Sequence, residues 1–230
     1  MKAYAIVIKD NEVSEHGFKN LVETSLKVNN DFTINKFEAV TPPYVKTTMA
    51  EHNIKWNYPW VGTVTDFASG LTKSAYQTKN PDARVACALS HYLLWKTAIT
   101  LDEPILILEH DAAFVNKIDF DPDKSNMWAI GINNPLGATR RSREFYTTIA
   151  NHPAWVQPVP TIDKHDIPQG LAGNSAYIMK PQGAQKMIDL VKQFGLWPND
   201  ALMCKQLIPR LGVTKKFYTN IQNLKSTTTQ

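Results

Sequence analysis

The chain has 230 residues, of which 43% are hydrophobic and 20% are charged, and its formal net charge is +4. This balance excludes a disordered chain, and 10 glycines and 14 prolines are too few for a collagen-like or low-complexity protein. No apolar run approaches the roughly 20 residues that cross a hydrocarbon core, so we expect no transmembrane helix. The positive charge suits an anionic ligand, an acidic glycolipid or nucleic acid, but many basic proteins bind none of these.

The beginning of the chain and its cysteines predict where the protein works. The apolar run at residues 3–8 is shorter than a signal-peptide core and ends in Lys9-Asp10, so we interpret it as a strand of the mature protein. Cys87 and Cys204 both lie in helical patterns. Buried free thiols in a reducing compartment explain them better than a disulfide does, which predicts a cytoplasmic protein.

Strand-like and helical patterns alternate along the chain. The predicted strands cover residues 2–8, 32–40, 105–108, 127–132, 175–179 and 213–218. Predicted helices begin at Ser14, at Asn80 before Pro81, at Pro181 and at Asn199, where capping residues or a proline favour initiation. This alternation predicts an α/β fold with a mostly parallel sheet.

Two segments lack a clear period. Residues 44–79 are predicted to form a long functional loop or a small subdomain. Its aromatic side chains either fill a satellite core or form a ligand platform; they are Trp56, Tyr58, Trp60 and Phe67. Residues 138–169 contain several prolines and predict a mobile or lid-like connection.

Two carboxylates follow the strongest strand prediction. Because side chains alternate along an extended chain, Glu109 and Asp111 project to one side and His110 to the other. Ligands of open α/β sheets bind outside the carboxyl ends of strands. A hard divalent cation such as Mg²⁺ or Mn²⁺ would relieve the repulsion between two such carboxylates, so we expect a metal site here.

Two ordered sequence blocks carry a resemblance to a known family. The first is Cys87-Ala-Leu-Ser90-His91, then Trp95, then Ile107-Leu108-Glu109-His110-Asp111, and the second is Ala176-Tyr177-Ile178-Met179, Gly183-Ala184 and Pro198-Asn199-Asp200. Together they resemble the core motifs of glycosyltransferase family 25, the lipopolysaccharide-core and collagen galactosyltransferases. Arg84, Ala86 and His110 depart from the family pattern, and the arginine usual after the first strand is missing.

The resemblance implies a GT-A type, Rossmann-like nucleotide-binding fold. We expect one catalytic domain over residues 1–230. Within it, about residues 1–135 would bind the nucleotide sugar and metal, about 136–220 would form the acceptor and lid half, and 221–230 would be a flexible tail.

It also implies a metal-dependent transfer of a sugar from a UDP-sugar to a hydroxyl of a glycan or lipopolysaccharide, with inversion at the anomeric carbon. Mn²⁺ or Mg²⁺ would be held by Glu109 and Asp111. Asp200 would be the base or would position the acceptor, unless it only caps a helix or supplies charge to its first turn. The expected donor-binding residues are Ser90, His91, Arg84 and Asp10, and an alternative for Ser90 and His91 is that they orient the metal-binding loop. Packing within a helix is the alternative role of His91.

Other interpretations stay open at this stage. His152 or His165 would supply a third metal ligand. The basic residues Arg140, Arg141 and Arg143 would hold donor phosphates or an anionic acceptor, or form a solvated basic loop. The acceptor hydroxyl would alternatively lie on a modified base of duplex DNA, as in some phage enzymes. A zinc hydrolase using His110 and Asp111, and a catalytically inactive sugar-binding relative, are the remaining alternatives.

Overall fold

A computed structural model describes residues 1–137, 141–225 and 227. The strands are β1 (Lys2–Val7), β2 (Ile34–Glu38), β3 (Thr63–Asp66), β4 (Leu71–Ser74), β5 (Ile105–Glu109), β6 (Ala112–Phe114), β7 (Ala129–Gly131), β8 (Val156–Pro158), β9 (Ala176–Met179), β10 (Leu211–Thr214) and β11 (Thr219–Ile221). The α-helices are α1 (Glu12–Lys27), α2 (Val45–Glu51), α3 (Pro81–Leu101), α4 (Ser142–Asn151), α5 (Pro181–Phe194) and α6 (Asn199–Leu202). The α/β class expected from the sequence is confirmed.

The central sheet has seven strands in the order β2-β1-β5-β9-β7-β10-β8. The prediction of a mostly parallel sheet is wrong, because β9 runs antiparallel to both β5 and β7, and β8 runs antiparallel to β10. Continuous apolar strands indicate burial on both faces of a sheet. They carry no information about strand direction, so Ala176–Met179 has the pattern of a parallel strand although it is antiparallel.

Packed layers cover both faces of this sheet. Ile105 and Ile107 of β5 belong to a core that includes helices α3 and α5. Leu106 and Leu108 point the other way, into a second core shared with Leu21 of α1. These four β5 side chains are completely buried. Burial of apolar surface contributes about 25 cal/mol per Å² to the stability of the fold. Because β5 is buried on both faces, its position and that of the turn after it are fixed.

Local capping sets where the helices begin. The Asn80 side chain accepts a hydrogen bond from the Ala83 backbone at 3.2 Å, and Pro81 takes the first helical position, as predicted. Helix α1 begins earlier than expected, because Asn11 and not Ser14 is the cap. The Ser14 hydroxyl instead accepts a hydrogen bond from the Ile8 backbone at 2.8 Å, which ties the helix to the end of β1.

Both irregular segments contain secondary structure. Residues 44–79 hold α2 and the β3–β4 hairpin, and their aromatics divide: Tyr58 is buried against Trp197, whereas Trp60 and Phe67 are exposed. Residues 138–169 hold α4 and β8, and Arg140 lies outside the described residues. Among the helices in the described ranges, none is both long and apolar enough to cross a membrane.

Candidate functional site

A pocket of about 640 Å³ opens at the carboxyl ends of β1 and β5. It brings together six of the seven residues that the sequence nominated for the site: Arg84, Ser90, His91, Glu109, Asp111 and Asp200. Asp10 is not among the lining residues. It is exposed in the turn after β1, where its φ of 58° is left-handed. The pocket therefore joins helix α3, the turn after β5 and helix α6.

The turn after β5 is held in place by the chain's C-terminal segment. The Gln222 side-chain amide donates hydrogen bonds to the backbone oxygens of Gly17, His110 and Ala112, at 3.0, 3.2 and 2.7 Å. The Gln222 backbone N–H also donates to the backbone carbonyl oxygen of Asp111 at 2.7 Å. Gln222, expected to belong to a flexible tail, thus fixes the backbone on either side of Asp111. No sequence motif had singled out this residue.

The Asp111 carboxyl group is electrostatically unfavourable in the absence of a ligand. Its Oδ1 atom is buried and has no hydrogen-bond partner in the described part of the protein. Burial, and then the neighbouring charge of Glu109, raise the pKa of Asp111 to about 7. Burial likewise lowers the pKa of His110 between them. A cation beside the two carboxylates would remove this penalty.

A buried hydrogen-bond chain orients Glu109 from behind. The Trp95 indole can only donate, and it donates to the Tyr177 hydroxyl at 3.0 Å. The Tyr177 proton is therefore free to go to Nδ1 of His91, 2.8 Å away. Nδ1 of His91 is therefore an acceptor, and Nε2 carries the ring N–H proton, which it donates to Oε1 of Glu109 at 3.2 Å. His91 thus acts on the Glu109 carboxylate from a fully buried position.

Ser90 connects the pocket wall to the sheet. Its hydroxyl donates to the Ala86 carbonyl at 2.9 Å within α3 and accepts from the Val40 backbone at 2.9 Å. The side chain is completely buried. Its protein partners thus already use its donor capacity, and its role in these contacts is to hold the segment after β2 against α3.

Asp200 lies across the pocket, on the short helix α6. Its carboxylate accepts a hydrogen bond from the Tyr76 hydroxyl at 3.1 Å. Burial raises the pKa of Asp200, and the charge of Arg84 and the Tyr76 hydrogen bond oppose that rise. The Arg84 guanidinium lies 5.0 Å from the Tyr76 ring centre, so one aromatic residue contacts both groups. The sequence did not identify Tyr76, because its segment has no periodic pattern.

Two asparagines of the pocket were not predicted as site residues from the sequence. Asn174 precedes β9, and Asn199 is the first residue of α6, not its cap, because Pro198 occupies that position. Both side chains are buried and line the pocket, although polar atoms of each have no protein partner in the described residues. The only sequence signal for Asn174 is a polar residue just before a buried strand.

The residues of the site fit a hard divalent cation best at the carboxylates. The possible ligand atoms of Cys87, His91 and Glu109 lie within 4.8 Å of one another. However, burial raises the pKa of the Cys87 thiol, and the hydrogen-bond chain places a proton on Nε2 of His91. Oxygen ligands suit Mg²⁺ and Mn²⁺, and Oδ1 of Asp111 is an oxygen that lacks a protein partner among the described residues.

The remaining candidates lie elsewhere. His152 and His165 are not among the residues that line the pocket. His152 directly follows α4, and its Nδ1 accepts a hydrogen bond from the Ala154 backbone at 3.2 Å. Arg141 pairs with Glu144 and Asp163. Neither histidine is placed as a third metal ligand.

The solved structures that resemble this chain include glycosyltransferases of low sequence identity. Two structures of LgtC are similar over 93% of this chain: the galactosyltransferase with donor and acceptor sugar analogues, at 10% identity, 73% coverage of that chain and a TM-score of 0.47, and an active-site mutant of LgtC, at 9% identity, 72% coverage and a TM-score of 0.44. The glycosyltransferase GlyE of Streptococcus pneumoniae TIGR4 matches at 9% identity and a TM-score of 0.37, over 93% of this chain and 45% of that one. All three TM-scores lie below 0.5, so these similarities do not identify corresponding site residues.

No curated protein matches the chain. The sequence model of glycosyltransferase family 25 (LPS biosynthesis protein) matches residues 19–203, which include every pocket residue from Ala39 to Asp200. That match covers most of the chain and both sequence blocks. The chain is therefore a member of glycosyltransferase family 25.

Proposed function

We propose that this glycosyltransferase transfers a sugar from a UDP-sugar to a hydroxyl group of a glycan or lipopolysaccharide acceptor. The observation that supports this proposal is the buried Oδ1 atom of Asp111 beside Glu109, which has no hydrogen-bond partner among the described residues and lies in a pocket at the carboxyl ends of β1 and β5. The pocket is large enough for a sugar and part of a nucleotide. Its donor site would use the ends of the strands, as ligand sites of open α/β sheets do.

Glu109 and Asp111 would hold Mn²⁺ or Mg²⁺. When bound there, the cation would bind the diphosphate and neutralise the negative charge that the leaving nucleotide develops. His91 donates to one oxygen of Glu109 and thereby leaves the other oxygen for a ligand. Arg84 is a fixed positive charge across the pocket and would contact the donor. Asp10, which is exposed outside the pocket, would reach a donor only beyond the pocket's edge.

Asp200 would accept the proton of the attacking acceptor hydroxyl. Tyr76 donates to Oδ2 of Asp200, which holds the carboxylate in one orientation and favours its charged form. A base on the face opposite the leaving group would give inversion at the anomeric carbon. The acceptor hydroxyl would then enter between α6 and the donor sugar.

The donor proposal is tested by thermal stability with a panel of nucleotide sugars, with and without Mn²⁺. A ligand that binds only the folded state raises the melting temperature by mass action. We expect a metal-dependent rise with one UDP-sugar in the parent protein and loss of that rise in Asp111→Asn. The rise should be retained in Asp119→Asn, because Asp119 is not among the residues that line the pocket. Absence of any rise in the parent protein would contradict the proposal and favour an inactive relative.

The acceptor is tested separately. Duplex DNA carrying a hydroxylated base is the other acceptor considered, and a basic protein that contacts its phosphates binds with a steep salt dependence. We expect no gel shift with such DNA at low salt and transfer of labelled sugar to a glycan or lipopolysaccharide acceptor. A salt-sensitive shift together with labelled DNA would reverse this assignment.

A further inference from the structure

Asn174 is a buried amide side chain at the wall of the pocket. It is 7% exposed, and both its Oδ1 and its Nδ2 lack a hydrogen-bond partner among the described residues. The side chain lines the pocket. An unsatisfied buried amide destabilises a folded protein, and a hydrophobic side chain of the same shape would avoid that cost. Such a residue at a pocket wall is explained if a ligand completes its hydrogen bonds.

The antiparallel direction of β9 decides what Asn174 lies beside. The Glu109 backbone donates to the Ser175 carbonyl at 2.8 Å, so Asn174 is one residue from the partner of Glu109. If β9 were parallel to β5, this position would lie next to the beginning of β5 and not next to its end. Here the beginning of β9 and the end of β5 meet at the pocket.

Asn199 is a second buried amide that lines the same pocket. Asn199 is 6% exposed, its Nδ2 is buried without a partner among the described residues, and it precedes Asp200. The loop before Asn174 packs closely on α6, since a Cβ atom at Gly170 would lie 2.4 Å from the Asp200 carbonyl oxygen. The two asparagines thus lie on walls that are in direct contact.

We propose that Asn174, with Asn199, reads the hydroxyl groups of the donor hexose. A carboxamide offers one acceptor and two donors, which matches a sugar hydroxyl that both donates and accepts. The sugar of a donor whose diphosphate lies at Glu109 and Asp111 is joined directly to that diphosphate, which places the sugar beside Asn174. This inference rests on the proposed function and adds the residues that discriminate between sugars.

The test compares Asn174→Leu and Asn174→Ala with the parent protein by calorimetric titration of UDP, UDP-glucose and UDP-galactose in the presence of Mn²⁺. We expect UDP binding to stay within about twofold. We also expect the UDP-sugar that the parent prefers to bind at least about tenfold more weakly to both variants, because the sugar hydroxyls lose their partner. Preference between glucose and galactose should fall with it.

Melting temperature without ligand separates this role from a structural one. Asn174→Leu removes an unsatisfied amide, so its melting temperature should equal or exceed that of the parent, by up to about 6 °C. The matched control is Asn133→Leu, which is equally buried but donates to the Ala172 carbonyl at 2.7 Å and should melt lower.

Two results would overturn the inference while leaving the proposed function intact: unchanged UDP-sugar affinity in both Asn174 variants, or a clear loss of melting temperature in Asn174→Leu. If the parent protein binds UDP but gains nothing from an attached sugar, the inference also fails. If the parent binds neither UDP nor a UDP-sugar, the proposed donor is wrong, and the inference fails with it.

Discussion

The Tyr177 hydroxyl lies 2.8 Å from Nδ1 of His91, and this contact connects the interior of the protein to the pocket. Tyr177 also accepts from Trp95, so its own proton must go to the histidine. The ring of His91 is thereby fixed with its Nε2 proton toward Glu109. A residue of strand β9 thus sets the orientation of a carboxylate at the end of strand β5.

Substitution Tyr177→Phe tests this chain. It leaves the Trp95 N–H and Nδ1 of His91 buried without a partner, so we expect a loss of about 1–3 kcal/mol in the free energy of unfolding. The ¹⁵N chemical shifts of the His91 ring should report an Nε2–H tautomer in the parent, and the Nδ1 signal should shift in the variant, where Nδ1 loses its hydrogen-bond donor. Tyr92→Phe, a buried tyrosine that packs on His52, is the control. A parent spectrum with the proton on Nδ1 would contradict the assignment.

Stability should depend on pH through Asp111. Its pKa rises from 3.8 to about 7 on folding, so the folded state binds this proton more tightly than the unfolded chain. The resulting stability is fully present below about pH 4 and is lost as the pH rises through 7. Asp111→Asn, which is neutral throughout, should therefore be more stable than the parent by about 1–3 kcal/mol at pH 8 and nearly equal to it at pH 4.

Asp119 provides a control of opposite sign when the melting temperatures of the parent and the variants are compared across pH. Hydrogen bonds from Lys216 and Tyr218 lower the pKa of Asp119, so its contribution to stability is present above its unfolded pKa and lost as the pH falls. Asp119→Asn should melt lower than the parent at pH 8 and approach it in acid. If the stability of both variants changes with pH in the same direction relative to the parent, folding does not raise the pKa of Asp111.

Activity should depend on Asp200 in a different way. We expect Asp200→Asn to reduce kcat by about 10²–10⁴-fold while nucleotide-sugar affinity stays close to that of the parent, because general-base catalysis contributes about that much. Tyr76→Phe removes the hydrogen bond that opposes the raised pKa of Asp200. The rise of kcat/KM with pH should therefore move to higher pH in this variant, and a shift to lower pH would exclude Asp200 as the base.

Close backbone packing beneath α6 gives a further prediction. A Cβ atom in Gly170→Ala would lie 2.4 Å from the Asp200 carbonyl oxygen and 3.1 Å from that of Met203, so α6 must move. We expect a loss of about 1–3 kcal/mol in stability together with a loss of kcat. Gly183→Ala, whose Cβ would lie 2.6 Å from the Trp128 carbonyl oxygen outside the pocket, should lose stability and retain kcat. Equal losses of kcat would show that Asp200 need not be held by this contact.

Local patterns carried the prediction of the elements and of part of the site. The run at residues 105–108 predicted β5, and side-chain alternation placed Glu109 and Asp111 at its end. The capping residue Asn80 with Pro81 located the start of α3. These predictions succeed because burial, alternation and capping are properties of neighbouring residues.

The α/β class, the family and most segments of the pocket can be predicted from the sequence, since each depends on local periodicity or on ordered motifs. The direction of β9, which brings Asn174 beside Glu109, and the contacts of Gln222 and Tyr76 with site residues follow only from the folded chain. These pairs are distant in the chain, and an apolar strand has the same pattern in either direction. Which residues meet was therefore settled by the packing of the whole sheet.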